Sequence, residues 1–211
     1  MTFGITQISW CFLLNGLLLA GSATGAAAES ASSFGDDPRN AWTVEQVVAS
    51  LKEERKSSVS FEEATHSSLL TKPLIARGVL RFTPPSRLEK EVLEPYRERY
   101  VVEGDLVTFE SERKHVKKTI SLEDYPGLRW FVDAFRAGFT GDAAQLRQTY
   151  ETSLDGNRRK WTLLLRPRDP AGQSMVDSIQ FSGSEGRIET ITIRTPDGDR
   201  SVMTLSEGRS P

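Results

Sequence analysis

The segment between residues 78 and 109 constrains the fold more than any other part of the chain, because its hydropathy alternates and turn signals interrupt it. Leu80 and Phe82 share one parity, as a half-buried strand requires. Pro84-Pro85 ends this strand, because proline has no N–H to donate to a ladder. Two short strands follow, and Glu103-Gly-Asp105 is a hairpin turn into a returning strand. The segment therefore predicts a meandering antiparallel sheet with one apolar face.

The rest of the chain adds helices and more strands. Thr43-Val-Glu-Gln46 has the form of a capping box and predicts an amphipathic helix over residues 43–56. A second helix is predicted over residues 128–139, and Asp142 caps a third. Asp155-Gly-Asn157 predicts a turn. Further strands are predicted at residues 59–61, 116–122, 161–165, 175–181, 188–193 and 201–205.

Many short strands with few helices predict an α+β domain built on an antiparallel sheet. A sheet of this length must curl or close, because its edges otherwise stay open to other chains. The predicted fold is therefore a curled antiparallel sheet forming an incomplete, half-open β-barrel, with helices set into its concave apolar face.

The N-terminus predicts export. Residues 8–20 form an apolar run too short to span a bilayer, and Ala26-Ala-Ala28 offers a cleavage site. The alternative is an uncleaved membrane anchor, because residues 1–7 contain no Lys or Arg. Cys11, the one cysteine, lies within the apolar run, so the mature domain is expected to fold without disulfides. The predicted division is a signal peptide at 1–28, a flexible leader at 29–42, the folded domain at 43–205 and a tail at 206–211.

Composition and motifs argue against several classes of function. A net charge of −2 and a pI of about 5.8 do not favour nucleic-acid binding. Glu62 and His66 have the spacing of metal ligands on a helix, but no second His or Cys lies nearby. Residues 113–118 form a basic run that acidic residues flank, which favours a solvated strand face over contact with phospholipid headgroups. The chain has neither a nucleophile elbow nor a Gly-rich phosphate loop, so we expect no enzyme activity, no cofactor and no metal.

An apolar sheet face remains, and it has two interpretations. It is either a plain packed core or the wall of a ligand cavity. The helix at residues 128–139 carries one Trp and three Phe, which is more aromatic surface than docking requires and favours a movable cover over a cavity. The candidate ligand-binding residues are Leu80, Phe82, Leu88, Leu128, Phe131, Phe135, Trp161, Leu163, Leu165, Ile179, Phe181, Ile191 and Ile193.

A series of short motifs resembles one known family. Gly78 begins a strand that ends in proline, Arg87-Leu88 opens the next, and an acidic-Gly hairpin follows a Pro-containing strand. The C-terminal pieces are the helix at 128–135, Gly141-Asp142, residues 146–150, and the strands at 161–167, 179–183 and 188–194 with Asp197-Gly-Asp199. In their order and spacing over residues 43–205, these motifs resemble the LolA-type periplasmic lipoprotein carriers.

The resemblance implies helices that form a lid over an apolar cavity in a half-open barrel. It also implies a periplasmic carrier that binds acyl chains of lipoproteins or a related lipid and ferries them toward the outer membrane. The expected partners are this acylated cargo, an inner-membrane exporter as donor and an outer-membrane acceptor, with no nucleic acid, and we expect a monomer. The first alternative is a lipid-sensing regulatory domain of the envelope. A hydrolase is the third interpretation.

One departure from the family affects the lid. Typical carriers place a gating arginine directly before the strand-ending proline. Here that position is Pro84, and Arg87 lies three residues further on. We therefore predict that the helix at 128–139 closes mainly by apolar contact, with Gly127 and Gly138 as its hinges.

Overall fold

The computed structural model describes residues 42–53, 58–83 and 86–207. The predicted signal peptide, nearly all of the leader, Pro84-Pro85 and residues 208–211 lie outside these ranges. The helices are α1 (Val44–Glu53), α2 (Pro126–Thr140), α3 (Ala143–Thr149) and α4 (Pro170–Gln173). The strands are β1 (Ser58–His66), β2 (Leu74–Thr83), β3 (Arg87–Glu94), β4 (Glu98–Glu103), β5 (Leu106–Ser111), β6 (Val116–Ser121), β7 (Tyr150–Asn157), β8 (Lys160–Pro167), β9 (Ser178–Ser184), β10 (Arg187–Arg194) and β11 (Arg200–Ser206). None of these helices has the length and hydropathy that crossing a lipid bilayer requires.

All the strands belong to one antiparallel sheet in the order β6-β5-β4-β3-β2-β1-β11-β10-β9-β8-β7. Two meanders, β1 to β6 and β7 to β11, are joined where β1 pairs with β11. Phe61 lies opposite Leu205 in this central pairing. Within the described residues the outer strands β6 and β7 do not pair, so the sheet is curled and open. The predicted α+β fold with an incomplete barrel is confirmed.

The alternating apolar side chains predicted from the sequence lie on the sheet face that packs against the helices. One row of paired residues crosses five strands on this face, and it consists of Leu163, Phe181, Ile191, Met203 and Glu63. The first four side chains are apolar and buried, because this face packs against the helices instead of water. Glu63 is the exception in this row, because it is charged and yet buried. A buried carboxylate is costly unless other groups bind it.

The helices begin and end where local chemistry predicts. Thr43 and Gln46 form the expected capping box, in which Thr43 N donates to Gln46 Oε1 at 2.9 Å and Gln46 N donates to Thr43 Oγ1 at 3.3 Å. Asp142 caps α3 by accepting a hydrogen bond from Gln145 N at 2.9 Å. Helix α2 ends at Gly141, whose φ of +83° is a left-handed conformation that glycine adopts without strain.

Several local predictions are wrong. Residues 155–157 belong to strand β7 and not to a turn. Gly156 is needed there, because its φ is +93° and a Cβ would lie 2.2 Å from the Lys160 carbonyl oxygen. The strand predicted from residue 175 begins only at Ser178, since α4 and a turn precede it. Ser206, the first residue of the predicted tail, belongs to strand β11.

Two further corrections concern features that the sequence linked to function. Glu62 and His66 lie on strand β1, so they do not share a helix face. Gly127 and Gly138 lie inside α2 rather than on either side of it, and the helix continues to Thr140. The glycines therefore do not bracket the helix as flanking hinges. Gly78 also lies inside its strand, since β2 begins at Leu74.

Candidate functional site

The candidate site is a pair of apolar cavities between α2 and the sheet. The larger has a volume of about 240 Å³ and lies at the ends of β2 and β3, beside the turn between β9 and β10. Phe135 of α2 reaches into it. Most of its lining is apolar: Leu51, Val59, Leu80, Phe82, Leu88, Phe135, Ile188, Ile191 and Leu205. Polar residues lie at its rim and include Arg187, Glu189 and Glu207.

The smaller cavity has a volume of about 60 Å³ and lies further along α2. Four residues, Leu80, Leu88, Phe135 and Ile191, line both cavities, so the two adjoin across a common wall. The rest of the smaller lining is Glu63, Lys90, Tyr100, Val102, Val107, Leu128, Phe131, Val132, Ile193 and Met203. A third space of about 10 Å³ beneath Gly138 is no larger than one water molecule needs.

Aromatic contacts hold α2 over these cavities. The Phe135 ring lies 4.5 Å from that of Phe131 and packs edge-on against Phe181 at 5.5 Å. Such pairs add to the stability that burial provides. Phe135 is the one residue that lines all three spaces, so its side chain has cavity volume on more than one side.

Helix α2 is also held by polar contacts that the sequence did not reveal. Arg129 Nη2 lies 3.1 Å from Asp105 Oδ1, and Arg136 donates to the Gly104 carbonyl oxygen. Both partners belong to the turn between β4 and β5. Closure by apolar contact alone is therefore an incomplete description, because two arginines also bind α2 to this turn. Pro84 lies outside the described residues, and Arg87 instead pairs with Glu103 at 2.8 Å.

Eight of the thirteen predicted site residues lie on the two larger cavities. On the strands, Leu80, Leu88 and Ile191 line both, Phe82 lines the larger and Ile193 the smaller. The helix contributes the remaining three, Leu128, Phe131 and Phe135. Alternation along the strands and the apolar stripe of the helix therefore identified residues that are distant in the sequence but line the same two cavities.

The other five predicted residues lie away from these two cavities. Leu163 and Phe181 border only the 10 Å³ space. Trp161, Leu165 and Ile179 line none of the three spaces and are at most 1% exposed. The Trp161 indole also donates to the Glu185 carbonyl oxygen at 3.1 Å. These three side chains are part of the packed hydrophobic core.

Sequence reasoning missed the charged part of the lining. Lys90 Nζ lies 2.6 Å from Glu63 Oε2, and Ser201 Oγ donates to Glu63 Oε1 at 2.5 Å. The two charged residues are on β1 and β3, with β2 between them. Across β2, Glu63 is paired with Ala76 and Lys90 with Leu80, and Gly78 lies between these two positions on the same face. Two small residues on the intervening strand are the signal that could have indicated this contact.

A second polar group lies on the same face. The Tyr100 hydroxyl donates to Glu98 Oε2 at 2.8 Å, and Ser111 Oγ donates to Glu98 Oε1 at 3.4 Å. Burial raises the pKa of Tyr100 well above its usual range, and the neighbouring Glu98 carboxylate adds to the shift. Tyr100 therefore stays protonated at physiological pH and acts as a hydrogen-bond donor.

The described residues do not assemble a metal site, since no three His, Cys, Asp or Glu side chains of residues 42–53, 58–83 and 86–207 lie within reach of one ion. His66 ends β1, and His115 lies in the turn between β5 and β6. The lining of the smaller cavity therefore consists of apolar walls, one ion pair and the Tyr100 hydroxyl, which donates to Glu98.

Solved structures with a similar chain path include three with informative descriptions. The LolA superfamily protein NE2245 from Nitrosomonas europaea is 12% identical, with a TM-score of 0.43, covering 81% of this chain and 96% of its own. The MucA/MucB complex of Pseudomonas aeruginosa gives 13% identity and a TM-score of 0.43 over 79% of this chain and 58% of that one. LprF from Mycobacterium bovis gives 12% identity and a TM-score of 0.34 over 79% and 93%. Similarities this distant carry no functional conclusion for this chain.

No curated protein matches the sequence. A family model does match, and it covers residues 36–210, which include the whole of the folded domain and more than half of the chain. This protein therefore belongs to the family described as outer membrane lipoprotein carrier protein LolA-like.

Proposed function

We propose that this protein is a lipid carrier of the bacterial envelope, which encloses acyl chains of lipoproteins or a related amphiphile in the two adjoining cavities beneath α2. The observation that carries the proposal is the apolar space of about 240 Å³ between a family-typical sheet and an amphipathic helix. A space with apolar walls is unfavourable for water and favourable for hydrocarbon.

Hydrocarbon burial supplies enough free energy for such a role. Each buried methylene contributes about 0.8 kcal/mol. About ten methylenes would give roughly 8 kcal/mol, which corresponds to a Kd near 1 μM before the cost of ordering the chain. A micromolar site releases its ligand readily to a tighter acceptor, so transfer needs no nucleotide. The role is binding rather than catalysis.

The surrounding pathway is part of the same proposal. The carrier works in the periplasm after removal of residues 1–28, takes cargo from an inner-membrane exporter and delivers it to an outer-membrane acceptor. The family to which the chain belongs is named for this activity, which supports the assignment. A lipid sensor would bind the same ligand and keep it, so transfer separates the two roles.

Two measurements test the proposal. Native mass spectrometry of the protein purified from the periplasm should show a co-purified acyl mass, which also identifies the cargo class. The loaded protein should then release this mass to acceptor vesicles, whereas a sensor would retain it. A protein that carries no acyl mass and binds no fluorescent acyl probe would contradict lipid binding altogether.

A further inference from the structure

The smaller cavity contains an ion pair that apolar binding alone does not require. Glu63 is 2% exposed, and its carboxylate accepts from Lys90 Nζ at 2.6 Å and from Ser201 Oγ at 2.5 Å. Both Glu63 and Lys90 line the cavity. Burying two charges costs more than burying an apolar pair of the same size, so the pair is weak evidence for stability. Its position on the wall of a binding cavity suggests a role toward the ligand.

The Lys90 ammonium has donors left for a ligand. An ammonium carries three N–H groups. Within the described residues, the polar atom bonded to Lys90 Nζ is Glu63 Oε2, while the Phe61 ring lies 5.2 Å away. Glu63, by contrast, has both carboxylate oxygens engaged. A ligand in the smaller cavity therefore meets a hydrogen-bond donor rather than an acceptor.

The ammonium lies close to the wall that the two cavities share. Lys90 and Leu88 are two residues apart on the same face of β3, a separation of roughly 7 Å along the strand. Leu88 lines both cavities. A chain that fills the larger cavity and passes Leu88 would bring its polar end to Lys90. The rest of the amphiphile would leave beside Leu128 and Phe131 of α2, both half-buried.

The net charge of the Glu63–Lys90 pair determines which polar group of a lipid can bind beside it. Glu63 already neutralises Lys90, so an ionised carboxylate placed there would add a second negative charge to an apolar site of low dielectric constant. An ester or amide carbonyl oxygen accepts the same hydrogen bond without adding charge. We propose that Lys90 is the polar anchor of the lipid site and that the Glu63–Lys90 pair selects ester- or amide-linked acyl chains over free fatty acids. This inference rests on the proposed function and specifies its ligand.

A matched pair of probes tests the selection. cis-Parinaric acid and its methyl ester share one fluorescent chain and differ only at the carboxyl end, which is ionised in the acid at pH 8. The parent protein should bind the ester at least about tenfold more tightly than the acid. Glu63→Gln leaves Lys90 as an uncompensated cation, so this variant should reverse the preference and favour the acid.

A charge-free variant provides the control. Glu63→Met combined with Lys90→Met replaces the pair by apolar side chains of similar length, an exchange that folded proteins often tolerate. Its affinity for the ester should fall about tenfold, while its affinity for diphenylhexatriene, a fluorescent hydrocarbon without a carbonyl, should be unchanged or higher. Circular dichroism checks folding, and this double variant decides alone if Glu63→Gln does not fold.

The outcomes separate the two proposals. A parent that binds none of the three probes refutes the lipid cavity, and the anchor with it. A parent that binds all of them but favours the acid, or a double variant that keeps the parent's affinity for the ester, refutes the anchor and leaves the carrier intact. In that case the ion pair serves only to hold β1 and β3 together.

Discussion

Replacing Leu80 by Phe distinguishes a cavity from a solid core, because the two cases predict different effects on stability and on ligand affinity. Leu80 is buried on β2 and lines both cavities. The larger ring would extend into existing space of about 240 Å³, and Phe suits a strand. The free energy of unfolding should therefore change by less than about 1 kcal/mol. In a fully packed site the same enlargement costs about 1–3 kcal/mol.

The effect on ligand binding can be worked from the same volume. Phe adds about three carbon atoms to the side chain, which displaces roughly the same number of methylenes from a bound chain. At about 0.8 kcal/mol each, the loss is about 2.4 kcal/mol, or roughly fiftyfold in Kd. The assay is titration with the methyl ester of cis-parinaric acid, alongside urea denaturation of the same preparation.

The matched control is Leu165→Phe. Leu165 is fully buried on β8 and lines none of the three spaces. This variant should lose about 1–3 kcal/mol of stability and keep its affinity for the probe. The reasoning is refuted if the two variants lose equal stability, or if Leu80→Phe binds the probe as tightly as the parent.

Three further predictions concern the cover, pH and processing. Hydrogen exchange of α2 should slow when the probe binds. Phe135→Ala should speed exchange and Arg87→Ala should not, because Arg87 pairs with Glu89 and Glu103, neither of which is on α2; equal slow exchange with and without probe would make α2 a fixed core element. Arg99 holds the pKa of the Glu89 carboxyl below its usual range, so Glu89→Gln should lower the free energy of unfolding at pH 7. The difference should shrink as the pH falls through that lowered pKa, because the carboxylate is then protonated in the folded protein; a pH-independent difference would contradict this. N-terminal sequencing of the exported protein should begin within a few residues of position 29, and a membrane-retained full-length chain would contradict the soluble carrier.

Local patterns were enough to predict most strands and the main helix. Alternation at Leu80 and Phe82 is a property of adjacent residues, and it assigned the correct parity before any partner strand was known. The capping box at Thr43 and the cap at Asp142 are local in the same way. The pattern failed at Gly156, where a glycine that usually marks a turn instead permits a close approach to the next strand.

The family resemblance was also carried by the sequence, because the order of turns, prolines and apolar strands is written along the chain. It predicted a sheet that curls without closing, and the structure has this sheet. Eight of the predicted residues line the cavities, because alternation along a strand and periodicity along a helix determine which face a side chain occupies. The same patterns do not show whether a side chain on that face borders a cavity or packs against another side chain. The sequence therefore could not distinguish Trp161, which is packed, from Leu80, which lines both cavities.

The sequence by itself determined the strands, their apolar face and the amphipathic helix, since each depends on residues a few positions apart. Only the tertiary structure decided where the face stays empty, because a cavity depends on how far α2 stands from the sheet. It also decided the contact between Glu63 and Lys90, which are far apart in the chain and meet across β2 only in one register. A shift of β1 or β3 by one residue against β2 would turn the charge on that strand to the opposite face.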